Sequence, residues 1–229
     1  MALIGPDGAG KTTVSRRLAA ESKMPLTSIY MGVNADSSGL MLPTTRLLLA
    51  VKQARGRRPD LVAATERDRT RPRPRDPFRR TAAACKSAAR LGVWLSEEWF
   101  RQLVAWWHST VRGRVVLFDR HFFADYYDYD VAARHGSRPL SARIHGFLLR
   151  HLYPKPDLVI CLDAPADVLF ARKGEASVEW LANRREEYLR MREVMPHFAA
   201  VDASAPLEQV TDDVAEAISR FERGRARSR

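Results

Sequence analysis

Residues Gly5-Pro6-Asp7-Gly8-Ala9-Gly10-Lys11-Thr12 combine types and spacing that suit one kind of chemistry. They fit the pattern G-x-x-x-x-G-K-[ST], in which a glycine-rich turn cradles phosphate. Glycines let the backbone bend tightly enough to aim successive N–H groups at phosphate oxygens. Lys11 then reaches the β- and γ-phosphates of a nucleoside triphosphate such as ATP, and the Thr12 hydroxyl is placed to ligate Mg²⁺. Thr13 follows in the helix that the loop should open, whose N-terminal dipole favours the same anion.

Two further stretches end in charged residues that could join such a site. Arg114-Val115-Val116-Leu117-Phe118-Asp119-Arg120 is an apolar run closing on an acid, as a central parallel strand does. Asp119 can hold Mg²⁺ through water or take a proton from an acceptor, and Arg120 can clamp an acceptor phosphate bidentately. Pro156-Asp157-Leu158-Val159-Ile160-Cys161-Leu162-Asp163 repeats the pattern. As an alternative to a functional role, Asp119 and Arg120 could form a local ion pair, and Lys173-Gly174-Glu175 could be an ordinary helix C-cap.

The elements that must position these groups alternate. Ala2-Leu3-Ile4 reads as a short strand before the glycine loop. Thr13 to Ser22 reads as an amphipathic helix with Val14, Leu18 and Ala19 on one face and Arg16, Arg17 and Glu21 on the other. Thr27 to Met31 is a second strand, and Leu40 to Arg55 a helix with an apolar face of Leu47, Leu48 and Val51. Three prolines between Pro72 and Pro77 forbid a helix there and predict an exposed, extended connection. Phe78 to Arg112 reads as helical, broken near Gly92, with Trp94, Trp99, Phe100, Leu103, Trp106 and Trp107 as a core-facing stripe. Helices are expected at Ser141 to Leu152, Ala166 to Arg172, Val178 to Glu193 and Pro206 to Phe221, with a last strand at Ala199 to Val201. Alternating strands and helices predict an α/β fold, a parallel sheet covered on both faces. Ligands of such sheets sit at the C-terminal strand ends, which gathers Asp119, Arg120 and Asp163 near the glycine loop.

Composition bounds the rest. The 229 residues suit one α/β domain, residues 1–229, and contain no apolar run of about eighteen residues that could cross a membrane. No secretory signal is read, and Cys85 and Cys161 suit free thiols in the cytoplasm. The net charge of +11 invites a nucleic-acid reading. Its distribution argues against one. Residues 55–80 hold ten arginines against four carboxylates, and the tail 220–229 holds five against one, which leaves the remainder close to neutral. Both segments read as irregular and solvated.

Taken in order, Gly5 to Thr13, Asp119-Arg120, Pro156-Asp157-Leu158 with Leu162-Asp163-Ala164-Pro165, Arg172-Lys173-Gly174 and Val201-Asp202-Ala203-Ser204 resemble the thymidylate kinases. The resemblance reaches to about Val210. It implies the P-loop nucleoside-monophosphate-kinase fold, a three-layer sandwich with a five-stranded parallel sheet, and a lid over ATP at about residues 172–185. It also implies that Gly5, Gly8, Ala9, Gly10, Lys11, Thr12 and Thr13 hold the ATP phosphates. Lys173 would serve the same nucleotide, and Ala203, in the stretch Asp202 to Pro206, would line the adenine pocket. Thr12 and Asp119 would serve Mg²⁺. Asp7 would face the acceptor sugar and Arg120 the acceptor phosphate. With Gly8 in the loop, the catalytic arginine comes from the lid, which points to Arg172, with Lys173, Arg184 and Arg185 beside it. Lys11, Asp119 and Arg120 complete the catalytic set. The family also implies a homodimer, here through the Trp-rich helix.

Departures fall on the acceptor side. Tyr30-Met31-Gly32-Val33-Asn34-Ala35 stands where the family carries Arg-Glu-Pro-Gly. Leu95 to Gln102 replaces its Ala-Asp-Arg segment, so that only Arg101 and Gln102 could substitute. After Arg120 come Asp125, Tyr126, Tyr127, Asp128, Tyr129 and Asp130, whose carboxylates would repel an acceptor phosphate but could hydrogen-bond hydroxyls. The expected activity is therefore ATP-dependent phosphoryl transfer to a small molecule, dTMP by resemblance. The alternatives are a kinase for another nucleoside, nucleotide or sugar, and a nucleotide-binding or nucleic-acid-associated protein without transferase activity.

Overall fold

A computed structural model describes residues 1–21, 24–31, 40–54, 76–132, 140–174 and 176–227. The expected exposed connection at 55–75, the altered residues 32–35, Glu175 and the side chains of Leu48, Trp94 and Tyr129 lie outside the described residues.

The described residues form β1 (Ala2–Ile4), α1 (Lys11–Glu21), β2 (Leu26–Tyr30), α2 (Pro43–Ala54), α3 (Pro77–Trp106), β3 (Val115–Asp119), α4 (Phe122–Tyr126), α5 (Leu140–His151), β4 (Val159–Asp163), α6 (Ala166–Lys173), α7 (Val178–Leu189), β5 (Phe198–Asp202) and α8 (Leu207–Arg227). π-Helical turns at Trp107–Val111 and Tyr127–Val131 follow α3 and α4. The five strands make an all-parallel sheet in the order β2-β3-β1-β4-β5, flanked by helices. In register, Leu3 faces Asp119 on one side and Ile160 on the other, and Asp163 faces Asp202. β1 is central although it has only three residues, because Ala2, Leu3 and Ile4 are fully buried between neighbours on both sides. The connection from β1 runs to β2 on one side and that from β3 to β4 on the other, so the C-terminal ends of β1 and β3 flank the switch point where such sheets bind ligands.

The chain divides into two compact units. The first comprises Met1–Ile29, Trp107–Asp125 and Pro154–Arg229, and the second Tyr30–Trp106 and Tyr126–Tyr153. In the first, Val14 and Leu18 of α1, Leu169 of α6, and Val214 and Ile218 of α8 cover the sheet residues Leu3, Ile160 and Leu162. No described helix is long and apolar enough to cross a membrane.

Several expectations change. α3 runs unbroken from Pro77 to Trp106 through Gly92, which is exposed and crowded by nothing. One glycine costs about 1 kcal/mol in a helix, too little to break one of this length. The aromatic stripe has the right period and the wrong face. Trp99, Leu103 and Trp106 are 39%, 61% and 57% exposed, and Trp107 is exposed too. The buried face instead carries Glu97, Glu98, Arg101, Gln102 and Ala105. Those polar groups go inside because they meet partners there. In the second unit His145 of α5 lies 2.6 Å from Asp130 through Nδ1 and 3.2 Å from Glu98 through Nε2. Burial pushes the imidazole towards neutrality, but the two carboxylates overturn this and raise its pKa to about 9. Gly146 allows this approach, since a Cβ there would collide with the Asp130 carbonyl. Leu47 and Val51 of α2 are also exposed, against the apolar face expected for them.

The tail is not irregular either. α8 continues through Arg227, with Arg220 paired to Glu216 and Arg225 3.6 Å from Asp157.

Candidate active site

Lys11 begins α1 directly after the glycine loop, where the first-turn N–H groups of a helix have no intrahelical partner. Gly5, Gly8 and Gly10 have φ of +142°, +89° and +81°, a region that side chains resist. A Cβ at Gly5 would collide with the Leu162 carbonyl oxygen, and one at Gly8 would stand 2.7 Å from that of Leu169. The loop is therefore seated against β4 and α6 so closely that only glycine fits. Ala9 is buried and its N–H donates to Pro6 O, while Thr12 and Thr13 are exposed in the first turn.

Lys11 is buried, and its ammonium donates to Gly5 O and Pro6 O, both at 2.7 Å. The loop's own carbonyls thus hold Lys11 over the loop and leave one N–H. Burial, reinforced by the Arg120 guanidinium, brings its pKa from 10.5 down to about 8.

β3 delivers Asp119 and Arg120 beside the loop. Asp119 is buried and sits in register with Leu3, and its Oδ1 takes no hydrogen bond. Arg120 has φ +69°, the one positive value among the described non-glycine residues. Such strain persists only where the surroundings enforce it, and it gathers at functional sites. Here Arg120 N donates to Leu3 O, and its guanidinium donates to Oδ1 of Asp7 at 2.5 Å. Lys173, the last residue of α6, stands 3.8 Å from the same oxygen. Burial pushes the Asp7 carboxyl up, but Arg120, Lys11 and Lys173 together hold it below the ordinary range.

A second cluster surrounds Asp125 at the end of α4. Tyr188 of α7 donates its hydroxyl to Asp125 Oδ1 at 2.7 Å. Arg184, one turn earlier, donates to the Asp125 carbonyl, the Tyr188 hydroxyl and Glu187. Burial drives the Tyr188 hydroxyl well above its ordinary pKa, so it stays protonated and donating. Arg185 grips Asp163 bidentately at 2.5 and 2.9 Å.

The structure thus gathers Asp7, Lys11, Asp119, Arg120, Asp125 and Lys173 in the first unit. Arg172 is engaged elsewhere. Its guanidinium donates to Ala203 O at 2.7 Å and Ser204 O at 3.4 Å, bracing the turn after β5 in which Ser204 N–H donates to the Asp202 carboxylate. Arg101 and Tyr126 belong to the second unit, where Arg101 is buried 3.9 Å from Glu97 and Tyr126 packs edge-on against His145. Tyr188 and Glu187 were missed in the sequence. The only signal was spacing, since both lie within four residues of Arg184 on one helix.

Among the described residues no cluster of three or more metal-ligating side chains occurs. A Mg²⁺ ion shared with phosphates needs only one or two protein ligands, and the orphaned Oδ1 of Asp119 together with the exposed Thr12 hydroxyl fits that requirement. Chemically, the arrangement offers a backbone cradle for anions, one buried ammonium, one unsatisfied carboxylate and a clamped Asp–Arg pair. No protein-family model matches the chain, and no curated protein matches it either.

Proposed function

We propose that this chain is an ATP- and Mg²⁺-dependent phosphotransferase of the P-loop, thymidylate-kinase type, acting on a small molecule in the cytoplasm. The observation that carries the reading is the convergence of the glycine cradle, buried Lys11 and the strand-end pair Asp119-Arg120 at the C-terminal edge of β1 and β3.

In this reading the first-turn N–H groups of α1 and the ammonium of Lys11 bind the triphosphate and take up charge that develops on the γ-phosphoryl group. Thr12 and Asp119 would hold the magnesium ion, which neutralises phosphate charge when bound. Lys173, 3.8 Å from Asp7 of the loop, is the lid cation proposed to serve the transfer. Arg172 instead shapes the Ala203–Ser204 turn, where the resemblance expects adenine. The acceptor implied by resemblance is dTMP.

The test is ADP release from Mg·ATP with dTMP, other nucleotides, nucleosides and sugars as acceptors. Acceptor-dependent turnover that vanishes in Lys11→Ala is the expected result. ATP consumption that ignores every acceptor, or survives that substitution, removes the reading. A homodimer through α3 is part of the same proposal, supported by the exposed Trp99, Leu103 and Trp106. Light scattering on the purified protein checks it.

A further inference from the structure

We infer that the outer face of α5 docks on an anionic lipid surface, its apolar side chains in the headgroup layer and its arginines on the lipid phosphates. The inference concerns the second unit by itself and stands apart from the kinase reading.

α5 is apolar on both sides. Its inner face, made of Ala142, His145, Gly146 and Leu149, is buried. A helix packed through one face ordinarily turns polar residues outward. Here Leu140, Ile144 and Phe147 lie outward instead, at the i, i+4, i+7 spacing of a single face, with Leu152 just past the helix end. These four side chains are 42% to 67% exposed. The Phe147 ring leans on that of His151, with centroids 4.7 Å apart, which extends the same face by a turn. An exposed apolar patch rimmed by charge marks a docking surface.

Charge selects the occupant. From Val131 to Tyr153 the chain has four arginines and no carboxylate. Arg143 and Arg150 are exposed and flank the stripe, three residues after Leu140 and Phe147. The second unit as a whole holds 19 lysines and arginines against 9 carboxylates, so that +10 of the chain's +11 belongs to it. Four of those carboxylates, Glu97, Glu98, Asp128 and Asp130, are buried. Acids inside and bases outside give this unit a strongly positive surface.

A second copy of α5 meeting the first would set arginine against arginine, with no carboxylate in the segment to pair them. A nucleic acid would satisfy the arginines but leave Leu140, Ile144 and Phe147 in water. An anionic bilayer meets both needs, since lipid phosphates take the arginines and the interfacial layer takes the apolar stripe. At 12 residues α5 is too short to span a bilayer and lies along it.

The test is flotation of the full chain with phosphatidylcholine vesicles, with and without about 30% phosphatidylglycerol. Binding to the anionic vesicles and at least about tenfold weaker binding to the neutral ones is expected. Phe147→Ser leaves every charge in place, so mere adsorption of a basic protein would not feel it. Loss of the apolar contact should weaken binding to anionic vesicles at least about tenfold. Arg143→Gln should weaken it about fivefold. Leu207→Glu, which places a charge on an exposed position of the first unit, should bind like the wild type. Unchanged urea unfolding of the variants checks that each is folded, as their exposed positions lead one to expect. A wild type that ignores anionic vesicles, or a Phe147→Ser protein that binds them as tightly, overturns the inference. So does a wild-type dimer that Phe147→Ser turns into a monomer in light scattering, which would give the face to a second copy. Poly(U) binding that is tighter than vesicle binding and weakened by Phe147→Ser would give it to nucleic acid.

Discussion

Replacing Lys11 by methionine should change how stability depends on pH, with a sign that follows from where the ammonium sits. Its two bonds to Gly5 O and Pro6 O do not offset burial beside Arg120, and its pKa falls from 10.5 to about 8. The folded state therefore binds fewer protons at this site than the unfolded chain between those two values, and stability must rise with pH there. Keeping the charge inside costs roughly 3 kcal/mol near pH 7, and about 1.4 kcal/mol of that remains near pH 9.5. Methionine fills the same space without the charge. The unfolding free energy of the wild type minus that of Lys11→Met should therefore grow by about 2 kcal/mol across the interval. Urea denaturation of both proteins near pH 7 and pH 9.5 measures it. The difference must be taken, because His145 runs the opposite way over the same window and would mask the trend in the wild type alone. A difference that stays flat or falls would mean that the ammonium is not desolvated by the loop, and the account of Lys11 as a buried, loop-held cation would fail.

Other outcomes follow from single contacts. His145, raised to about 9 between Asp130 and Glu98, contributes about 3 kcal/mol that is fully present below about pH 6.5 and lost as pH rises through 9. His145→Gln should therefore destabilise strongly at pH 6 and much less near pH 9.5 in the same urea assay. Gly8→Ala and Gly10→Ala both pay about 1–2 kcal/mol for positive φ. Only Gly8→Ala also meets a carbonyl oxygen, so it should be less stable than Gly10→Ala by at least about 1 kcal/mol in thermal unfolding. Arg172→Ala should raise the KM for ATP about tenfold and change kcat by less than about threefold, since Arg172 braces the Ala203–Ser204 turn. A collapse of kcat at unchanged KM would return Arg172 to the transition state.

The helix α3 shows how far periodicity reaches. Positions 99, 103 and 106 repeat as a helical stripe, and so do 97, 98, 101, 102 and 105. Hydropathy favours the first for the interior. The fold buries the second, because Glu98 finds His145 and Glu97 accepts from Leu42 N at 2.9 Å. Pairing partners come from α5 and from the segment before α2, dozens of residues away, so nothing local announces them. Tyr188 was hidden for the same reason. Its meaning lies in Asp125, 63 residues earlier.

By itself the sequence determined the glycine loop, the helix after it and the apolar strands ending in Asp119 and Asp163. Each of these depends on local backbone sterics or on a short run of buried residues. The parallel sheet followed from their alternation. Only the tertiary structure decided which cations are committed. It put Arg120 and Lys173 on one oxygen of Asp7, Arg185 on Asp163, and Arg172 on the Ala203 carbonyl. Charge pairing depends on distances between elements remote in the chain, and a spacing pattern within one element carries no information about them.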